Sequence, residues 1–252
     1  MPGESGIGDS RLPQASQWGA FATVIWGAVI IAMSAGLQLA TLFAAAKWYR
    51  AGPLETDLWE LLGATVSDGY LASLAFLVSA VVSCAAIAGI VKLKRGSVLR
   101  EYLGIKPVSL RTMLTWIGLL VVLVTFEGFI MGALDQSFTD DFGSAIYATA
   151  NPAWMLWLAA TVAVPLFEET FFRGFLFAGL ASSVMRPIGA VVITAGLWAA
   201  IHMQYDGVGM ALIFCLGLLL GAARAATGSL LVPVALHALE NGLAMLRTAA
   251  LQ

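Results

Sequence analysis

Three short clusters of ionisable or amide side chains interrupt otherwise apolar runs of this sequence. The first lies in Val164-Pro165-Leu166-Phe167-Glu168-Glu169-Thr170-Phe171-Phe172-Arg173-Gly174. On a helix Glu169 and Arg173 are four apart and can pair, while Glu168 points about 100° away and can face another helix. The second cluster is Trp198 with His202, and the third is His237 with Asn241; each pair shares one helix face. These two histidines are the only ones in the chain. Such a set can hydrolyse an amide. A glutamate can take a proton from water, a histidine beside it can relay that proton, and a second histidine with an asparagine can donate hydrogen bonds to a developing oxyanion. Glu168, His202 and His237 could instead hold zinc and leave one position for water. Taken singly, each cluster also has a plain explanation: a charge group at a helix end, a packed histidine, or hydrogen bonds that hold a bundle together.

Composition says where these side chains sit. Of 252 residues, 60% are hydrophobic and only 11% are charged, against roughly 25% charged in an ordinary soluble domain. With mean hydropathy at +0.89, one water-facing globule could not bury the apolar excess. An all-α integral membrane protein is the implied fold class. A spanning helix needs about 20 mostly apolar residues, and that template places spans near 18–46, 70–91, 113–134, 153–182, 188–206, 209–226 and 229–247. The result is a bundle of seven, and the amphipathic stretch Leu54–Asp68 is a candidate eighth span or interfacial helix. The fourth span is long and contains Pro165, so a tilt or kink is expected there. Ionisable groups inside spans are costly and by default mark function. If 183–187 is the turn of a helical hairpin, Glu168 and His202 stand at matching depth, roughly 21 Å from it by helical rise.

The remaining features bound the setting. Net charge is -2, so nothing suggests nucleic acid as a partner. Residues 1–17 form a polar tail without the features of a cleaved signal peptide, and 18–252 read as one membrane domain. Lys92, Lys94, Arg95, Arg100, Lys106 and Arg111 crowd the 92–111 connection, whereas 135–152 carries only acids, Asp135, Asp140 and Asp141. The positive-inside tendency therefore puts 92–111 and the N-terminus in the cytoplasm, with Lys47 and Arg50 dissenting. Gly128 with Gly132, and Gly217 with Gly221, predict close helix packing. Cys84 and Cys215 read as small buried residues. Glu127, Arg224 and Glu240 are further intramembrane charges, for which structural pairing is expected; Glu240 is the one best placed to join a site. No HExxH, CxxC, GxSxG or phosphate-binding glycine loop occurs.

At the three clusters the sequence resembles the CAAX-protease and bacteriocin-processing intramembrane peptidases, related to the type II CAAX prenyl endopeptidase. The first family motif, Glu-Glu-x-x-x-Arg, is met by Glu168, Glu169 and Arg173. The second, an aromatic four residues before His and usually Phe, is met by Trp198 and His202. The third, His with Asn four residues on, is met by His237 and Asn241. Leu103-Gly104-Ile105-Lys106-Pro107, the approach Thr227-Gly228-Ser229-Leu230 and Pro233 also look like the family. The motif-bearing core covers about 153–246.

The resemblance implies a membrane endopeptidase with Glu168 and His202 activating water and His237 and Asn241 stabilising the oxyanion. Glu169, Arg173 and Trp198 would support the site. The family has been described both as metal-dependent and as glutamate-dependent; the metal-free version is favoured here, with zinc as the alternative cofactor. The implied partners are the lipid bilayer and a membrane-associated or lipidated protein or peptide substrate. The implied location is a bacterial cytoplasmic membrane. Two rival functions stand beside this one, a non-catalytic binding or immunity protein and a proton-coupled transporter.

Overall fold

A computed structural model describes residues 16–49, 67–135 and 141–251. The chain is helical throughout these residues, as the composition requires. Helix α1 spans Ala20–Tyr49 and α2 spans Gly69–Leu93. The short α3, Leu99–Leu103, precedes α4, Leu110–Ala133, and α5 is Asp141–Thr149. Helix α6 runs Ala153–Ala181, α7 Arg186–Ala200, α8 Gly207–Thr227 and α9 Leu231–Ala250. Five of these, α1, α2, α4, α6 and α8, are long and apolar enough to cross a bilayer. This is an integral membrane protein. The polar tail up to residue 15, the Leu54–Asp68 stretch up to residue 66, Arg50, the Lys47 side chain and Asp140 lie outside the described residues.

Two of the seven expected spans differ from expectation. Helix α7 stops at Ala200, and its 15 residues rise only about 22 Å against a hydrocarbon core of about 30 Å. The cause is local. The Trp198 carbonyl accepts from the His202 ring at Nδ1, 2.7 Å away, so a side chain takes the place of the backbone donor that would continue the ladder. Hydropathy carried the predicted span on to 206, but the chain turns there. Asp206 then caps α8 by accepting from the Gly209 N–H at 2.8 Å. The last helix, α9, is long enough but less apolar, since it carries His237, Glu240 and Arg247.

Helix α6 is the axis of the molecule. Every residue from Glu169 to Leu180 is buried, and the main core gathers around Phe171, Phe172 and Phe175 with Ile30, Tyr102, Trp198, Leu220 and Leu236. Tyr102, wholly buried and stacked on Phe175, has its phenol pushed up to about 12 by that burial. Two stretches of α6, Ala159–Ala163 and Thr170–Leu176, are π-helical. Pro165 lacks an N–H and its ring crowds the carbonyl four residues earlier, which falls in the first of these stretches. Wider turns of this kind often mark functional positions.

Elsewhere the packing sorts small residues by what they face. A Cβ on Gly217 would stand 3.1 Å from the Ala195 Cβ, and one on Gly221 2.9 Å from Val191, so this pair seats α8 against α7 as expected. Gly128 and Gly132 have no such neighbours. They lie on α4, whose Leu114, Val121, Val122, Phe126 and Phe129 are exposed and make a lipid-facing side. Cys84 is half-buried, but Cys215 is exposed on α8, contrary to the expectation of burial.

A clasp ties the basic 92–111 connection to the turn between α8 and α9. Gly104 adopts φ +72°, a conformation glycine reaches at no steric cost. Its carbonyl accepts from the Leu230 N–H at 2.8 Å, and the Ser229 hydroxyl donates to the Lys106 carbonyl at 2.5 Å. Arg224 donates from Nε to the Arg173 carbonyl at 3.0 Å and lies over the Phe177 ring. This clasp sets where α9 begins, and so the depth of His237.

Candidate active site

The predicted residues come from three helices and one turn. Glu168, Glu169 and Arg173 sit on α6, Trp198 ends α7, His202 follows it, and His237 and Asn241 project from α9. Of these, Glu168, Trp198, His202, His237 and Asn241 line one cavity of about 430 Å³. Glu169 and Arg173 stand behind it, each with no exposed surface.

The adjacent glutamates divide as their 100° separation predicts. Glu169 accepts at Oε1 from Arg173 Nη1 at 3.0 Å and from His237 Nδ1 at 2.9 Å. Arg173 also donates from Nη2 to the Gly217 carbonyl at 3.1 Å. Its guanidinium lies 4.8 Å from the Trp198 ring centroid, a cation–π distance. One buried carboxylate thus joins the α6 arginine, the α9 histidine and, through the arginine, the α8 backbone. The pairing of Glu169 with Arg173 follows from their spacing. Its third member, His237, is 68 positions away and no local pattern points to it.

Glu168 is half-buried and accepts at Oε2 from the Trp198 indole N–H at 2.6 Å. Trp198 is 2% exposed and is the joint of the site. Its ring meets His202 edge-on at 4.9 Å and His237 at 5.2 Å. Its carbonyl takes the His202 Nδ1 proton, while its indole takes up one oxygen of Glu168. Asn241 donates from Nδ2 to the Ala160 carbonyl at 2.8 Å, inside the first π-helical stretch. The amide nitrogen carries two protons, so one remains for another acceptor.

The hydrogen bonds define the imidazole tautomers. A carbonyl oxygen only accepts, so His202 carries its proton on Nδ1 and, when neutral, offers a lone pair at Nε2. His237 donates from Nδ1 to a carboxylate, so it can donate from Nε2 only when the ring holds both protons. Among the described residues no three His, Cys, Asp or Glu side chains converge as a metal-binding group. The Trp198 ring lies against both His202 and His237, and its indole N–H bonds Glu168.

The other intramembrane charges separate. Arg224 belongs to the clasp and does not line the cavity. Glu240 lines it, 3.8 Å from Arg247, which lines it too. Glu127 of α4 also lines it, and it makes no hydrogen bond or ion pair with any described residue, contrary to the pairing expected. Its signal in the sequence is its isolation: it is the one charged residue between Arg111 and Asp135.

Residues 149–243 match the family model described as type II CAAX prenyl endopeptidase Rce1-like. All three motif clusters fall inside that stretch, so the family resemblance they carry is borne out there. The match covers less than half of the chain. A curated relative, an uncharacterised 24.3 kDa protein of Escherichia coli, is 39% identical over 83 residues, which make up 32% of this chain and 38% of that protein. The chain therefore spans well under half the length of this relative. No solved structure matches the chain.

Proposed function

We propose that this chain is a CAAX-type intramembrane endopeptidase that hydrolyses peptide bonds of membrane-associated or lipidated substrates. The observation that carries the proposal is the convergence of Glu168, His202, His237 and Asn241, from α6, the α7–α8 turn and α9, on one cavity. The family match over 149–243 supports the same class of activity.

In this reading Glu168 and His202 activate the water. As the water oxygen bonds to the scissile carbonyl carbon, its proton passes to the Glu168 carboxylate, oriented by the Trp198 indole. His202, neutral with its proton on Nδ1, accepts the second water hydrogen at Nε2 and aims the lone pair. The carbonyl electron pair moves onto oxygen, where His237 and Asn241 donate to the oxyanion. Glu169 holds the His237 ring by Nδ1 and so fixes where its Nε2 points. The C–N bond then breaks, and the proton on Glu168 goes to the departing amine.

Counting α7 and α9 as membrane-embedded gives seven segments in one membrane domain. The clasp supports a cytoplasmic side that holds both the 92–111 connection and the α8–α9 turn, because the two are hydrogen-bonded to each other. An N-terminus on that side, in a bacterial cytoplasmic membrane, completes the topology.

The test is cleavage of membrane-anchored and soluble peptides by the purified protein in detergent, read by mass spectrometry. Glu168→Gln, His202→Ala, His237→Ala and Asn241→Ala should each lose at least about 100-fold in rate, the scale of removing one catalytic group. Retained cleavage in any of the four overturns the role given to that residue. Activity lost on exhaustive chelation and regained with zinc would overturn the metal-free route. Proton-coupled flux in liposomes without proteolysis would establish transport instead.

A further inference from the structure

The cavity extends beyond the four groups that the chemistry uses, and its far wall is acidic. Its lining holds four carboxylates, Glu127, Glu168, Asp206 and Glu240, against one permanent cation, Arg247. Three of the acids have partners: Glu168 takes the Trp198 indole, Asp206 caps α8, and Glu240 faces Arg247 at 3.8 Å. Glu127 has none. It is 6% exposed, it lines the cavity, and no described residue gives it a hydrogen bond or an ion pair.

The position of Glu127 on α4 directs it inward. Leu120, Glu127 and Met131 are the buried residues of that helix, whereas Phe126 and Phe129 beside it are more than half exposed on the lipid side. A carboxylate taken out of water is costly unless something pairs with it. The charged neighbours within electrostatic reach are Glu240 and Arg247. Arg247 stands closer to Glu240 and is one-third exposed, so one guanidinium serves two acids. Of the two acids, only Glu240 has that guanidinium within ion-pair distance.

We infer that Glu127, with Glu240 beside it, forms a subsite for a cationic side chain of the substrate, a lysine or arginine at a fixed distance from the scissile bond. This rests on the peptidase reading of the same cavity. A side-chain ammonium or guanidinium brings its own hydrogen-bond donors, whereas the described residues offer no three-ligand set for a metal ion. Glu127 lies outside the stretch matched by the family model, so the preference would be particular to chains with an acid at this place on the preceding helix.

The experiment uses the full-length protein in detergent micelles and a degenerate synthetic peptide pool, with cut sites mapped by mass spectrometry. Lysine and arginine should be enriched over glutamine roughly tenfold at one position relative to the cut, the size of one charge-assisted contact. In Glu127→Gln that enrichment should fall to near unity. Glu127→Asp should keep it, and Glu127→Lys should reverse it toward acidic residues. No enrichment in the wild type, or enrichment that survives in a monodisperse Glu127→Gln protein, overturns the subsite.

Failure of the peptidase reading looks different, because no peptide would then be cut by the wild type that Glu168→Gln leaves intact. In that event immobilised wild-type protein should still retain lysine and arginine peptides over their glutamine counterparts, and Glu127→Gln should not. Equal retention by both proteins overturns the subsite as well.

Discussion

Replacing both members of the buried Glu169–Arg173 pair should destabilise the protein by clearly less than the sum of the two single replacements. The two side chains have no exposed surface and meet at 3.0 Å. At an effective dielectric of about 20, opposite charges some 4 Å apart attract by about 4 kcal/mol. Removing one partner of a buried pair typically costs about 3–5 kcal/mol, because the other charge is left in a dry interior. Glu169→Gln also weakens the bond to His237 Nδ1, and Arg173→Met loses the donor to Gly217 as well.

For a chain of this length each kcal/mol moves the midpoint by about 2–4 °C, so each single variant should unfold roughly 6–20 °C early. The double variant, Glu169→Gln with Arg173→Met, places no unpaired charge in the interior. Its loss should fall short of the sum of the singles by about 2–4 kcal/mol, a coupling typical of contacting charges. Thermal unfolding in detergent and reversible unfolding in mixed micelles would measure the cycle. Singles that lose less than about 1 kcal/mol, or a double that equals their sum, would refute the reasoning.

Trp198→Phe keeps an aromatic ring, the residue type usual in the family, and deletes the donor to Glu168. Peptide cleavage should slow roughly 10- to 100-fold, the worth of one hydrogen bond to a charged group, with the unfolding midpoint moved by only a few degrees; an unchanged rate would show that the indole does not orient Glu168. Gly104→Ala forces a side chain into φ +72° and brings its Cβ to 2.5 Å from the Arg224 guanidinium. The midpoint should drop by several degrees, consistent with about 1–2 kcal/mol of left-handed strain, and no change in melting would mean that the clasp gives way freely.

Apolar length and helical spacing carried much of the fold. The predicted spans at 70–91, 113–134, 153–182 and 209–226 fall within three residues of helices α2, α4, α6 and α8, because in lipid the backbone must satisfy itself locally. The early end of α7 was not legible, since hydropathy does not register a histidine ring that captures a carbonyl of its own helix. In the site, the i, i+4 spacing of Glu169 and Arg173 foretold their contact, and the hairpin depth argument brought Glu168 and His202 to one cavity. The link from Glu169 to His237 is a matter of how α6 and α9 cross, which no single helix encodes. Trp198 was expected only to support the site, yet its indole bonds Glu168 and its carbonyl bonds His202. Gly128 with Gly132 shows the opposite failure: a packing motif on the side of α4 that faces lipid.

The π-helical stretch Thr170–Leu176 bears on how chains of this kind can be aligned and altered. A π turn holds one residue more than an α turn. Delete one residue between Glu169 and Arg173 and the two side chains, now three apart on a closed α-helix, turn by about 100° relative to each other. Glu169 would then meet Arg173 at a different angle, and Glu168 would turn with Glu169. Substitutions in this segment are local events, but a single gap rewrites the register of the whole motif. Chain length between the two glutamates and Arg173 is therefore as much a part of the site as the side chains themselves.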